Sequence, residues 1–299
     1  MAPPDRILFL CLSAALSACM PQKNLHPDVH GHRGCRGSLP ENSIPAFVRA
    51  VDIGCDVLEM DVVLTADDQV IVSHEPWIDH VICRTADGDA IAPEDERSLN
   101  IFRMNLAEVR SYDCGSAPNP DFPEQDDRPV HKPTLREVIE VVEEHALLSG
   151  NVSPSYNIEI KSDPEWYGTF QPLPDAYARR VIAEIDALGI TDRCIVQSFD
   201  PAILEVIHAE RPDMVLALLV ENDDGLRANL SRLTFIPQYY SPHFSQADEG
   251  LLKDIRQDGM ELVVWTVNKK EDIQRMLDLG VDGIISDYPE RVIALMGDR

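Results

Sequence analysis

From residue 28 onward, short apolar runs alternate with amphipathic ones. Asp28-Val29-His30-Gly31-His32 predicts a short strand, and Asn42 or Ser43 then caps a helix to about Ile53. Val57–Leu64 is short, Val/Leu-rich and followed by the turn-like Thr65-Ala66-Asp67-Asp68, which predicts a buried strand. Val70–His74 is a second extended run, a hairpin partner or a continuation of that strand. Residues 75–131 break the rhythm. They are rich in Pro, Asp, Glu and Gly, and read as an inserted loop or small subdomain with one helix near 105–111.

The alternation resumes with a helix capped by Thr134 and running to about His145. Further strands are expected at Tyr156–Lys161, Cys194–Ser198, Met214–Leu219, Leu233–Pro237, Leu262–Thr266 and Gly283–Ser286. Helices are expected at Pro174–Leu188, Pro201–Arg211, Ala247–Asp258, Lys270–Gly280 and Pro289–Met296. About eight strands, most followed by a helix, predict an α/β fold, a (β/α)8 TIM barrel over residues 28–299 with an insertion after the second strand region. An open doubly wound sheet is the alternative that this count leaves.

Composition adds little until charge is considered. Among 299 residues, 44% are hydrophobic and 26% charged, ordinary for a globular chain, but the net charge is −26. Such a chain gains nothing from the counterion release that drives nucleic-acid binding, so DNA and RNA are excluded as expected partners. It is also repelled by anionic lipid surfaces unless held there covalently. The N-terminus supplies a candidate tether. Ile7–Leu16 is apolar but too short for a membrane span, and suits a signal-peptide core. Leu16-Ser17-Ala18-Cys19 resembles a bacterial lipoprotein cleavage box, which makes residues 1–18 a lipoprotein signal, Cys19 the lipidated residue and 19–27 a tether. The expectation is an exported, membrane-anchored lipoprotein facing the periplasm or cell surface; an ordinary secretory signal is the alternative.

Without Cys11 and Cys19, five of the seven cysteines remain, an odd number that leaves at least one free thiol or an intermolecular bond. Cys83 and Cys114 bracket the irregular segment and are expected to pair. No Cys-x-x-Cys zinc pattern occurs.

The candidate chemistry lies at the strand ends. Glu59 and Asp61 stand two apart in the buried run and therefore share a face. Two buried carboxylates need a cationic partner, and a hard divalent ion is the simplest one. His32 and Arg33 follow the first strand, His74 ends the run after the second, and Glu159 and Lys161 close another. Ser198, Trp265, Asn268 and Asp287 sit near later strand ends. In a β/α barrel these positions build one site. Three carboxylates (Glu59, Asp61, Glu159) suit one Ca²⁺ or Mg²⁺, Arg33 and Lys161 suit a phosphate, and two histidines suit a general acid and base. His30, two residues before His32, reads as structural.

The ordered set His32-Arg33-Gly34, Pro40-Glu41-Asn42-Ser43, Glu59-Met60-Asp61-Val62, Pro133-Thr134-Leu135, Glu159-Ile160-Lys161, Trp265-Thr266-Val267-Asn268 and Gly280–Pro289 resembles the glycerophosphodiester phosphodiesterase family. The resemblance implies a TIM barrel and a divalent metal on Glu59, Asp61 and Glu159. It also implies acid/base histidines at His32 and His74, substrate contacts from Arg33, Lys161 and Trp265, and hydrolysis of a small glycerophosphodiester to glycerol 3-phosphate and an alcohol. Where the family has His-Asp, this chain has His74-Glu75, which puts the role of that acid in question. A lysophospholipase D-like activity and a non-catalytic surface binding protein are the rival readings. The sequence sets no oligomeric state.

Overall fold

The structure is a computed structural model and describes residues 26–297. The predicted signal and Cys19 lie outside the described residues. The strands are β1 Asp28–Gly31, β2 Val57–Leu64, β3 Val70–Val72, β4 Ser155–Ile160, β5 Cys194–Ser198, β6 Val215–Val220, β7 Tyr239–Pro242, β8 Glu261–Val264 and β9 Gly283–Ser286. The helices are α1 Ile44–Asp52, α2 Leu106–Val109, α3 Leu135–Ser149, α4 Pro174–Leu188, α5 Pro201–Glu210, α6 Leu226–Leu230, α7 Glu249–Gln257, α8 Lys270–Leu279 and α9 Pro289–Met296.

All strands but β3 are parallel neighbours in the order β1-β9-β8-β7-β6-β5-β4-β2, and pairing of β1 with β2 closes the cylinder. This is the (β/α)8 barrel. β3 turns back antiparallel on β2, with Val62 opposite Val72, so the run after Thr65 is a hairpin partner.

Strand alternation divides two environments. Leu58, Met60, Val62, Ile158 and Ile160 belong to the main apolar core shared with the helices. The alternate positions Glu59, Asp61, Asn157 and Glu159 are also buried, but point into the barrel. His30 lies in this polar interior, with Nδ1 3.4 Å from Asn157 Nδ2.

The insertion has its own small core. Ile78, Cys83, Ile91, Ile101, Val109 and Cys114 pack with Val63 and Ile71 of the β2–β3 hairpin. Cys83 and Cys114 are disulfide-bonded, as their bracketing position predicts, and Cys35, Cys55 and Cys194 are free and buried. The short helix α2 is held by a reciprocal cap between Asn105 and Glu108.

Of the two caps that the sequence offers for α1, Ser43 is the one used. Several boundaries differ from the sequence reading. α3 runs to Ser149, where Gly150 adopts the left-handed cap (φ 73°) that only glycine takes without strain. The strand expected at Leu233–Pro237 does not form; the barrel position is filled by β7, Tyr239–Pro242. Leu233 instead closes the turn after α6 by donating its N–H to Leu230. Its apolar neighbours mislead because β7 carries polar Ser241 inside the barrel, which hides the strand from a hydrophobicity pattern.

Candidate active site

The loop after β1 makes the first wall. Arg33 (φ 48°) and Gly34 (φ 84°) form a left-handed turn, and a Cβ on Gly34 would lie 2.6 Å from the Ala46 backbone. This close approach seats the loop on α1 and turns the Arg33 N–H toward Glu59 Oε2, at 3.0 Å. Asn42 is also left-handed (φ 53°), and its Nδ2 donates to Asp61 Oδ2 at 2.9 Å.

Glu59, Asp61 and Glu159 converge, each with a carboxylate oxygen within 4.8 Å of the others. Cations and amides hold their outer oxygens. Arg33 Nε is 3.1 Å from Asp61 Oδ2, Lys161 Nζ is 2.8 Å from Glu159 Oε1, and Gln197 Nε2 donates to Glu59 Oε1 at 3.0 Å. Asp61 Oδ1 is buried and accepts no hydrogen bond. Orphaned buried carboxylate oxygens are rare, and an oxygen-loving cation satisfies one directly. Burial, reinforced by Asp61 and Glu159, pushes the Glu59 carboxyl well above its ordinary range. Burial and then Asp61 push Glu159 up to about 7 despite Lys161. Burial acts on Asp61 in the same sense, but Arg33, His74, Lys161 and the Asn42 hydrogen bond outweigh it and hold Asp61 ionised. The strain on Glu59 is what a divalent charge among the three would relieve.

The two histidines stand at this cluster in matched arrangements. Nδ1 of His32 is 2.6 Å from Asp287 Oδ1, and Asn268 Nδ2 donates to the other Asp287 oxygen at 2.6 Å. Nδ1 of His74 is 2.6 Å from Glu75 Oε1. Glu75 therefore reaches its neighbour despite the extra methylene. Nε2 of His32 lies 4.0 Å from Glu59 Oε2. Burial lowers the His74 pKa, and Arg33 and Lys161 add to this. Burial opposes the lowering of the Asp287 and Glu75 pKa values, but His32 and His74, respectively, overcome it.

A cavity of about 150 Å³ opens at the C-terminal ends of the strands. Its lining combines the charged and titratable His32, Arg33, Glu59, His74, Glu159 and Lys161 with the apolar Phe199, Leu219, Trp265 and Ile285. Trp265 is fixed by donating Nε1–H to Ser241 O at 2.8 Å and by an edge contact with Phe199. The barrel residues proposed from sequence gather at this mouth except Ser198, which turns away and donates its hydroxyl to Ile160 O. Sequence reasoning missed Glu41, Asn42 and Gln197. Glu41 accepts from Arg33 Nη1 at 2.8 Å and pairs with Arg36, and its carboxyl is held near 2, because these arginines outweigh burial. The Glu41-Asn42 pair in the quoted motif was the available signal; Gln197, on a different strand, had none.

Similarity to known proteins agrees with this geometry. The sequence profile of the glycerophosphoryl diester phosphodiesterase family matches residues 32–291. A glycerophosphodiester phosphodiesterase of Caldanaerobacter subterraneus subsp. tengcongensis is 30% identical over 270 residues, covering 90% of this chain and 97% of the relative. A crystal structure from Silicibacter pomeroyi DSS-3, provisionally assigned as a glycerophosphoryl diester phosphodiesterase, superposes with a TM-score of 0.80 at 28% identity, covering 92% of this chain and 96% of that one. The fold is also that of an Oleispira antarctica phosphodiesterase solved with sn-glycerol 3-phosphate (TM-score 0.71, 22% identity, 91% and 98% covered). The chain belongs to the glycerophosphoryl diester phosphodiesterase family.

Proposed function

We propose that the chain hydrolyses small glycerophosphodiesters to sn-glycerol 3-phosphate and an alcohol, using His32 and His74 as the acid/base pair. The observation that carries this reading is the pairing of two carboxylate-held histidines with a three-carboxylate cluster at one barrel mouth.

Glu59, Asp61 and Glu159 would hold a divalent cation, Ca²⁺ or Mg²⁺, through oxygen; the orphaned Asp61 Oδ1 and the raised Glu59 carboxyl support the fit. When bound, such an ion neutralises phosphate oxygen charge and polarises phosphorus. Arg33 and Lys161 border the same cavity and bind the remaining phosphate charge. Ionised Asp287 and Glu75 accept the Nδ1 protons of His32 and His74, leaving each Nε2 available for proton transfer. One histidine removes a proton from the attacking oxygen and the other gives a proton to the leaving alcohol. Phe199, Leu219 and Trp265 add apolar surface to the same cavity, which would limit the water that reaches the bound diester.

In the same reading the chain is exported and anchored through lipid on Cys19. The cleavage-box segment supports this, and no helix among the described residues is long and apolar enough to cross a membrane. The experiment is a comparison of glycerophosphocholine with lysophosphatidylcholine. Glycerol 3-phosphate released from the first at higher kcat/KM supports the reading; preference for the acylated diester moves the activity to a lysophospholipase D.

A further inference from the structure

Five large apolar side chains are exposed among the described residues: Leu147 (79%), Leu148 (78%), Val152 (91%), Leu173 (62%) and Ile236 (53%). Only Leu173, just before α4, follows a strand and so lies on the catalytic side. Leu147 and Leu148 end α3, Val152 is in the turn leading into β4, and Ile236 is in the segment leading into β7. Helix ends and turns that feed strands lie at the N-terminal face of a β/α barrel, opposite the active site. Four of the five therefore share the face opposite the active site, and three of them, Leu147, Leu148 and Val152, fall within one short stretch at the end of α3 and the turn after it, the kind of local apolar cluster that suits a contact surface.

The chain enters the barrel on this same face. β1 begins at Asp28, and Asp28 and Val152 line one open cleft of about 560 Å³. The segment from Cys19 to Pro27 spans at most about 30 Å when fully extended. A compact chain of this size is about 45–50 Å across. A lipid on Cys19 is thus held closer to the N-terminal face than the thickness of the molecule. Part of the charge on this face is paired internally. Arg193 pairs with Glu143 at 2.9 Å, Arg211 with Asp186 at 2.5 Å and Arg256 with Asp282 at 3.4 Å.

We infer that the N-terminal face of the barrel docks on an uncharged lipid surface, with Leu147, Leu148 and Val152 in contact with the bilayer and the active-site mouth facing water. The inference rests on the lipid anchor proposed above. It also deepens the substrate reading, since diesters reach the mouth from the aqueous side and one embedded in the same leaflet faces the wrong end of the barrel.

The test uses the full chain, acylated at Cys19 and reconstituted in phosphatidylcholine vesicles with a lipid-borne quencher. A fluorophore is placed through Val152→Cys in one protein and through Ser245→Cys, exposed beyond β7, in another. The free native cysteines are buried, so labelling favours the introduced thiol. The label at position 152 should be quenched at least twofold more than the label at 245. Adding L147S and L148S should abolish that difference while glycerophosphocholine turnover and vesicle flotation persist. Equal quenching, or a quenched label at 245, overturns the inference. An unquenched label at 152 on protein that still floats overturns docking but leaves the anchor, and points to a protein partner for the face. Protein that fails to float overturns the anchor and the docking that rests on it.

Discussion

His32 and Asp287 are 255 residues apart in the chain and 2.6 Å apart in space, Nδ1 to Oδ1. Asn268 holds the second Asp287 oxygen, so the carboxylate cannot rotate away from the imidazole. An ionised acceptor on Nδ1 places the proton there and leaves Nε2 as the nitrogen that the proposed mechanism uses. Asp287→Asn keeps the shape but loses the charge that selects this tautomer. It should lower kcat at least about tenfold with a smaller change in KM, in the manner of partners that orient functional histidines. Unchanged kcat in steady-state assays would show that His32 needs no such partner.

His32→Ala and His74→Ala should each lower turnover at least about a hundredfold, the low end for general acid–base catalysis. Near-normal turnover in both variants removes the histidine pair from the mechanism. Glu75→Gln tests whether the longer acid serves His74 as Asp287 serves His32. The expected result is a loss that Glu75→Asp partly rescues.

His30 predicts a pH dependence of stability rather than of activity. Burial lowers its pKa from 6.5 to about 3. Its neutral form is the folded form, so its contribution is complete above pH 6.5, where the unfolded chain also holds it neutral. As pH falls from 6.5 toward 3, the unfolded state takes up a proton that the folded state refuses, and stability is lost. His30→Gln, a neutral side chain of similar reach, should therefore lose less Tm than the natural chain over that interval. Thermal melts with a constant Tm difference from pH 7 to pH 4 would contradict the buried neutral imidazole.

The Cys83–Cys114 bond closes a loop of sequence separation 31 within the insertion core. Chain entropy for a loop of that length gives about 3–4 kcal/mol. Cys83→Ser with Cys114→Ser should lower the stability of the insertion by that order and increase its proteolysis, leaving the barrel helices protected in hydrogen exchange. An unchanged protease pattern would place the insertion's stability in Ile78, Ile101 and their neighbours alone.

The barrel was legible because its strands repeat a simple contrast. Val57–Leu64 reads as buried from its apolar residues, and its two acids then stand out as needing a reason. The same logic located Glu159, Lys161, His32 and His74, each at a strand end. It failed at β7, where Tyr239-Tyr240-Ser241-Pro242 lacks the apolar run and the more hydrophobic Leu233–Pro237 lies outside the sheet. It also did not reveal the role of Asn42, which reads locally as an alternative to Ser43 for the helix cap but directs its side chain to Asp61, 19 residues away. Gln197 is ordinary in sequence, and only closure of the barrel brings it to Glu59 across 138 residues. Local propensity cannot express contacts of that range.

The proposed function depends above all on Glu59, Asp61 and Glu159, whose carboxylate oxygens lie within 4.8 Å of one another, holding one divalent ion. The most direct measurement is glycerol 3-phosphate release from glycerophosphocholine by chelated protein, followed by titration with Ca²⁺ and with Mg²⁺. The natural chain should be inactive after chelation and recover with one of the two ions, and Glu59→Gln should need a higher metal concentration for the same recovery. Full activity after exhaustive chelation, or metal titrations that coincide for the natural and Glu59→Gln proteins, would contradict the carboxylate site.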